Sequence, residues 1–142
     1  FRPGDPWAPK GDRFELKASI CAEIVPNAEF YDYKAKYLDP NGATFQVPAR
    51  ISAKTAARVK EVALAAFRAL DLYGLARVDF FQHKKTGQVF FNEPNTLPGF
   101  TPASMYPRLW RETGLPTKKL VEQLVALALR RAASRRRIST RH

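Results

Sequence analysis

Apolar residues recur with helical spacing in the middle of the chain. From Val59 to Leu70 they fall about 3.6 residues apart, the period of a single buried helix face. Ser52 precedes this series and is the expected N-cap, because its hydroxyl can accept a hydrogen bond from the first turn. Gly74 ends the pattern. The spacing therefore predicts an amphipathic helix between Ser52 and Gly74.

Two further helices are expected in the C-terminal third of the chain. A short one covers residues 103–112, and a longer one follows Pro116 with Thr117 as its expected N-cap. The apolar face of the longer helix consists of Leu120, Val121, Leu124, Leu127 and Ala128. We expect this face to pack against the rest of the domain.

Short apolar runs predict strands elsewhere. Residues 75–82 and 88–93 flank a turn that ends at Gly87, and this arrangement predicts a β-hairpin. Residues 19–25 and 44–47 have the composition of two more strands. Together the elements indicate an α/β (α+β) fold, mainly antiparallel sheet with packed helices.

Three regions differ in composition. Residues 1–19 are rich in Pro, Gly and charge and are expected to be irregular, whereas residues 20–131 carry the predicted elements of one domain. Six arginines and no acidic residue lie between Arg130 and His142, and they account for more than half of the net charge of +11. Residues 132–142 are therefore expected to be a disordered basic tail, with a nucleic-acid-binding patch as the alternative.

Composition excludes several classes of protein. Cys21 is the only cysteine, which excludes an internal disulfide and a cysteine-rich zinc site. No apolar run approaches the roughly 18 residues that a membrane helix needs. Because the chain begins with Phe1 rather than Met and carries no signal peptide, we expect a fragment of a longer protein.

The predicted hairpin brings polar side chains together. If the pairing is centred on Thr86, Arg77 faces Asn95 and Asp79 faces Glu93, all on one side of the hairpin. Two carboxylates and an amide oxygen are hard ligands that suit Mg²⁺, and an adjacent arginine suits a phosphate. The pattern predicts a phosphoryl-transfer site. The alternative is a cross-strand salt bridge on a solvated sheet face.

Two loops offer further candidate residues. Gly99 would let a backbone N–H approach a substrate oxygen, and Ser104 lies near an expected helix N-terminus suited to a carboxylate or phosphate. An aromatic loop at residues 30–37 contains Lys36 and Tyr37. A lysine there could contact a terminal phosphate. The alternatives are a plain turn and a surface loop whose tyrosines pack on the domain.

Three segments resemble the C-terminal part of the D-alanine–D-alanine ligases, which belong to the ATP-grasp superfamily. They are GLARVDFF at 74–81, NEPNTLPGFTPASMYPRLW at 92–110 and EFYDYKAKY at 29–37. Their order and spacing match the family, and the resemblance covers about residues 22–131. Pro94 and residues 1–19 depart from the family pattern.

The resemblance implies a truncated C-terminal subdomain of an ATP-grasp fold and a cytoplasmic ligase of peptidoglycan precursor synthesis. In this family ATP phosphorylates the carboxylate of one D-alanine, and the amine of a second D-alanine attacks the acyl phosphate. The implied cofactors are ATP and Mg²⁺, with Mn²⁺ as a substitute. The upstream half, which binds the first D-alanine and much of the ATP, is missing. We therefore expect the fragment to be inactive alone. Members of this family are often dimers, so the resemblance allows a homodimeric parent enzyme, although the sequence itself does not determine the oligomeric state.

The resemblance also implies roles for residues of the phosphate site. Asp79, Glu93 and Asn95 match the family's Mg²⁺ ligands. Arg77 matches the arginine that stabilises the transferred phosphate, and Lys36 matches a loop lysine that contacts the γ-phosphate.

The remaining roles concern the substrates. Tyr37 matches a loop tyrosine that closes over them, and Gly99 matches a backbone donor to the tetrahedral intermediate. Ser104 and Met105 match the positions that hold the carboxylate of the second D-alanine. The alternatives are an ATP-grasp ligase with a different acceptor and a non-catalytic basic module that uses the arginine tail. Nucleic acid and membranes are not expected partners.

Overall fold

Seven helices and strands make up residues 15–26 and 43–139, the part of the chain that the computed structural model describes. In chain order they are β1 (Glu23–Pro26), β2 (Ala43–Gln46), α1 (Ala53–Ala69), β3 (Arg77–Gln82), β4 (Val89–Asn95), α2 (Met105–Glu112) and α3 (Thr117–Ser139). Two antiparallel pairs, β1 with β2 and β3 with β4, form separate two-stranded sheets. The α+β class predicted from the sequence is confirmed.

Helix α1 begins as predicted and ends earlier than predicted. The hydroxyl of Ser52 accepts a hydrogen bond from the Thr55 N–H at 3.0 Å, so Ser52 is the N-cap. The C-cap is Leu70 rather than a residue next to Gly74, and Asp71 follows with a φ of 49°. An aspartate tolerates this left-handed conformation better than most residues, which lets the helix end before the glycine.

Helix α3 differs from prediction at both ends. Thr117 is its first helical residue rather than its cap, and the Pro116 carbonyl accepts the Leu120 N–H at 3.0 Å. At the other end the helix continues to Ser139, although the sequence predicts a disordered tail from residue 132. Alanine and arginine are strong helix formers, which explains the extension. In the described residues no helix is long and apolar enough to cross a membrane.

The core lies where α2 meets α3. Helix α2 ends in a Schellman motif, in which the Leu115 N–H bonds to the Trp110 carbonyl and the Gly114 N–H bonds to the Arg111 carbonyl, both at 2.9 Å. The motif requires the φ of 97° that Gly114 adopts. It drives the side chain of Leu115, which is 1% exposed, into a cluster with Tyr106 and Leu120.

Truncating Leu115 is expected to destabilise the fold. Leu115→Ala leaves a cavity in this cluster, so we expect the free energy of unfolding to fall by about 2–5 kcal/mol. Leu97→Ala is the matched control, because the Leu97 side chain is 87% exposed and its truncation is expected to cost less than about 0.5 kcal/mol. Urea unfolding of both variants measures the difference. Equal losses would contradict the placement of the core.

Tyr106 makes the stability of the core pH-dependent. Burial raises the pKa of the Tyr106 hydroxyl from 10.0 to about 12, against the smaller opposing effect of a hydrogen bond with Trp110. The unfolded chain therefore releases this proton at lower pH than the folded chain. From about pH 10 to pH 12, the free energy of unfolding is expected to fall by about 2–3 kcal/mol because of this group. Tyr106→Phe should remove this part of the pH dependence of the free energy of unfolding. It should also remove the ionisation at highest pH from the tyrosinate absorbance titration. If that ionisation stays unchanged in the variant, the assignment of the raised pKa to Tyr106 is contradicted.

The hairpin of β3 and β4 has two faces that carry different side chains. Helix α1 contacts β4, and on the same hairpin Phe80 and Phe91 pack edge to face with ring centroids 6.0 Å apart. Phe80 and Asp79 are neighbours in the strand and point to opposite faces. The face that carries Asp79 is thus the one opposite the Phe80–Phe91 pair.

Candidate phosphate and metal site

The register of the hairpin places four polar residues as the sequence predicts. Arg77 is opposite Asn95 and Asp79 is opposite Glu93. Residues two apart in a strand share a face, so all four side chains lie on one side of the hairpin at its open end. The fold therefore brings together the two carboxylates, the amide and the guanidinium.

A β-bulge creates this register. At the turn the His83 N–H bonds to the Gln88 carbonyl at 2.9 Å, and Phe80 faces Phe91. Between Phe80 and Asp79 the pairing shifts by one residue, which leaves Asn92 as the extra residue of β4. The single register predicted from Thr86 is correct at the polar end and wrong at the turn end. Without the bulge, Glu93 would lie on the opposite face.

Arg77 and Asp79 are paired along β3. The Arg77 Nε donates to Asp79 Oδ1 at 2.8 Å, and Nη2 donates to Oδ2 at 2.9 Å. Both side chains are partly buried, with exposures of 33% and 22%. This two-point contact fixes the plane of the guanidinium, as is typical of arginine–carboxylate pairs. This ion pair lies within one strand, whereas the alternative drawn from the sequence was a salt bridge across the two strands.

The remaining oxygen donors come from β4. Asn95 Oδ1 accepts the Leu97 N–H at 3.0 Å, which orients the amide and leaves its oxygen a second lone pair. Glu93 is exposed on the same face. In residues 15–26 and 43–139 no three His, Cys, Asp or Glu side chains converge. A cation at this site would therefore depend on two carboxylates and one amide oxygen, the donor types that Mg²⁺ prefers.

The loop after β4 is shaped by Ser104. The Ser104 hydroxyl accepts the Thr101 N–H at 3.0 Å and lies 2.8 Å from Thr101 Oγ1. A Cβ at Gly99 would lie 2.8 Å from this hydroxyl, so only glycine fits without displacing it. Since Ser104 bonds within the loop, it makes no side-chain cap for α2, which begins at Met105 and has no acidic residue in its first turn.

Two aromatic residues extend the polar face, and the sequence analysis did not identify them. Phe81 is 64% exposed, lies opposite Phe90 and follows Asp79 by two residues, so the pair shares the face of the four polar residues. Phe81 could have been predicted from the sequence, because it follows Asp79 by two residues in β3 and residues two apart in a strand share a face. Phe90 could not be placed without the shifted register.

Lys36 and Tyr37 lie outside the described residues. Their assigned roles in contacting phosphate and closing over the substrates stay predictions.

Sequence comparisons identify relatives over most of this chain. The family model described as D-ala D-ala ligase C-terminus matches residues 11–126. A D-alanine--D-alanine ligase of Acetivibrio thermocellus is 52% identical over 114 residues, a match that covers 80% of this chain and 30% of the relative. D-alanine--D-alanine ligase A of Bradyrhizobium diazoefficiens is 52% identical over 122 residues, a match that covers 84% of this chain and 33% of that relative. This chain spans about a third of the length of the curated relatives it matches.

Solved structures resemble the fold as well. The D-alanine-D-alanine ligase from Coxiella burnetii has a TM-score of 0.66 at 37% identity, over 69% of this chain and 28% of that protein. The VanG D-Ala:D-Ser ligase from Enterococcus faecalis has a TM-score of 0.69 at 36% identity, over 80% of this chain and 32% of that protein. The similarity in sequence therefore extends to the arrangement of helices and strands.

Proposed function

The chain belongs to the D-ala D-ala ligase C-terminus family, and we propose that it supplies the metal- and phosphate-binding part of an ATP-dependent D-alanine–D-alanine ligase. The observation that carries the proposal is the hairpin register, which puts Asp79 opposite Glu93 and Arg77 opposite Asn95. The products expected from such an enzyme are D-alanyl-D-alanine, ADP and phosphate. A cytoplasmic location follows from the same proposal.

The donor set at the hairpin fits Mg²⁺. Asp79 and Glu93 supply two carboxylates and Asn95 an amide oxygen, and two carboxylates at directly opposed strand positions favour a cation between them. A bound Mg²⁺ would supply electrostatic stabilisation of the transferred phosphoryl group. Mn²⁺ prefers the same oxygen ligands and is expected to substitute.

Arg77 is proposed to bind the phosphoryl group. Its guanidinium is oriented by Asp79 and can offer N–H donors to phosphate oxygens next to the carboxylates. In the reaction, a carboxylate oxygen of the first D-alanine attacks the γ-phosphorus of ATP and ADP leaves. Phe81 and Phe90, exposed on the same face, offer apolar surface for the base of the nucleotide.

The loop from Gly99 to Met105 is proposed to hold the acceptor. The amine of the second D-alanine attacks the acyl carbon, phosphate leaves, and the amine loses a proton. The backbone at Gly99 is open to a substrate oxygen because no Cβ occupies that position. Ser104 and the start of α2 at Met105 provide a polar, positively polarised region for the acceptor carboxylate.

The acceptor itself has a second candidate. One structural relative is a D-Ala:D-Ser ligase, and the same loop could hold an acceptor other than D-alanine. Comparing product formation with D-alanine, D-serine and D-lactate as acceptors distinguishes the candidates.

A chimaera tests the proposed function. In it, the C-terminal part of the Acetivibrio thermocellus ligase that matches this chain is replaced by this chain. We expect ATP-dependent formation of D-alanyl-D-alanine, with the unaltered ligase as the positive control. A folded chimaera that binds ATP but forms no dipeptide with any D-amino acid would contradict the proposal.

A further inference from the structure

A cleft lies between the segment before β3 and the C-terminal half of α3. Its volume is about 440 Å³, which is within the range of small-molecule sites. Its lining includes the apolar side chains of Leu75, Leu124 and Ala128, together with Tyr73, Arg131 and Arg135. The cleft thus combines an apolar surface with cationic side chains.

One of the two arginines is held in place by Tyr73. The Tyr73 hydroxyl donates to the Leu127 carbonyl at 2.9 Å, which ties the segment before β3 to α3. The Arg131 guanidinium lies over the Tyr73 ring, 4.5 Å from its centroid. Stacking on the ring uses the face of the guanidinium. Its N–H groups point outward in the guanidinium plane, where an anion can accept hydrogen bonds from them.

The charge of the cleft has one sign. Arg135 follows Arg131 by one helical turn and lines the same cleft, whose lining contains no carboxylate. The chain has no Asp or Glu after Glu122. Two like charges on one helix face repel each other, and an anion between them relieves that repulsion. Ala128 and both arginines lie beyond residue 126, where the family match ends.

We propose that this cleft binds a small amphipathic anion, a carboxylate or phosphate joined to an apolar chain. The anionic group accepts hydrogen bonds from Arg131 and Arg135, and the apolar chain packs on Leu75 and Leu124. The proposal is independent of the ligase function, because none of these residues belongs to the hairpin site.

Titration of the 142-residue chain with octanoate and octyl phosphate tests the proposal, with amide chemical shifts as the readout. Octan-1-ol and octyltrimethylammonium are the uncharged and cationic controls. We expect saturable shifts at 73–75 and 124–135 with the two anions only. R131Q/R135Q should weaken binding about tenfold or more, whereas R130Q/R136Q, which removes the same charge from the same helix, should not. R131K is expected to bind both anions more weakly than the wild-type chain does, since lysine lacks the planar guanidinium that stacks on the Tyr73 ring.

Vesicles of phosphatidylglycerol distinguish the source of the anion. If the chain binds the vesicles, and this binding is lost in R131Q/R135Q but retained in R130Q/R136Q, the anion is a lipid headgroup. If the chain binds octyl phosphate but not the vesicles, the anion is a free metabolite. Either result supports the site. Equal weakening in the two double variants, shifts of equal size with octan-1-ol, or no saturable shift with either anion would overturn it.

Discussion

Substituting Asp79 with Asn and Glu93 with Gln is expected to abolish dipeptide formation by the chimaera. Both changes keep the size of the side chain and remove one negative charge each. Since altering residues behind a metal ligand already lowers metal affinity about 10- to 100-fold, loss of two ligands should lower Mg²⁺ affinity by more than about 100-fold. The measurement is Mg²⁺-dependent phosphate release by the wild-type and double-variant chimaeras.

The two single variants separate the metal role from an effect on Arg77. Asp79→Asn also weakens the contact with Arg77, whereas Glu93→Gln leaves the Arg77–Asp79 pair intact. We expect both to raise the Mg²⁺ concentration needed for half-maximal activity. Glu61→Gln and Glu112→Gln, at carboxylates in exposed surface ion pairs, are the controls. Unchanged Mg²⁺ dependence in Glu93→Gln would contradict the proposed donor set.

Arg77→Lys is expected to have the second-largest effect. Lysine keeps the charge but lacks the planar guanidinium, which makes two hydrogen bonds to Asp79 and is proposed to contact the phosphoryl group. An arginine that stabilises a transferred phosphoryl group contributes about a thousandfold or more to kcat, so we expect kcat of the chimaera to fall by about that factor. The KM for ATP should change much less, because the contact strengthens as the phosphoryl group moves.

Arg58→Lys is the matched control for this substitution. Arg58 pairs with Glu61 on the exposed surface of α1, and its replacement should leave kcat unchanged. An Arg77→Lys chimaera with wild-type kcat and a raised KM for ATP would assign Arg77 to ground-state binding and contradict its role in transfer.

The polar site could be predicted because strand periodicity places Arg77, Asp79, Glu93 and Asn95 on one face whenever Asp79 and Glu93 are paired. The rest of the register could not be predicted. The turn fixes the pairing of Phe80 with Phe91, and the bulge at Asn92 restores the pairing of the polar end. A bulge depends on how two strands twist against each other, and hydrophobic periodicity carries no signal for it.

The ends of the helices show a similar division. The N-cap at Ser52 was predictable because a local side-chain hydrogen bond determines it. The end of α3 could not be predicted. A run of arginines occurs both in disordered, solvated tails and in helices, because arginine is a strong helix former. The contact of Arg131 with Tyr73 joins residues far apart in sequence, and no local pattern predicts it.

Paramagnetic broadening by Mn²⁺ tests most directly whether this chain carries the metal site. Mn²⁺ and ATP are added to the isotope-labelled chain, and amide signals are compared with those of the Asp79→Asn, Glu93→Gln variant. We expect broadening centred on residues 77–79 and 93–95 in the wild-type chain and its loss in the variant. Broadening that is centred on other carboxylates, or that is equal in the variant, would contradict the account.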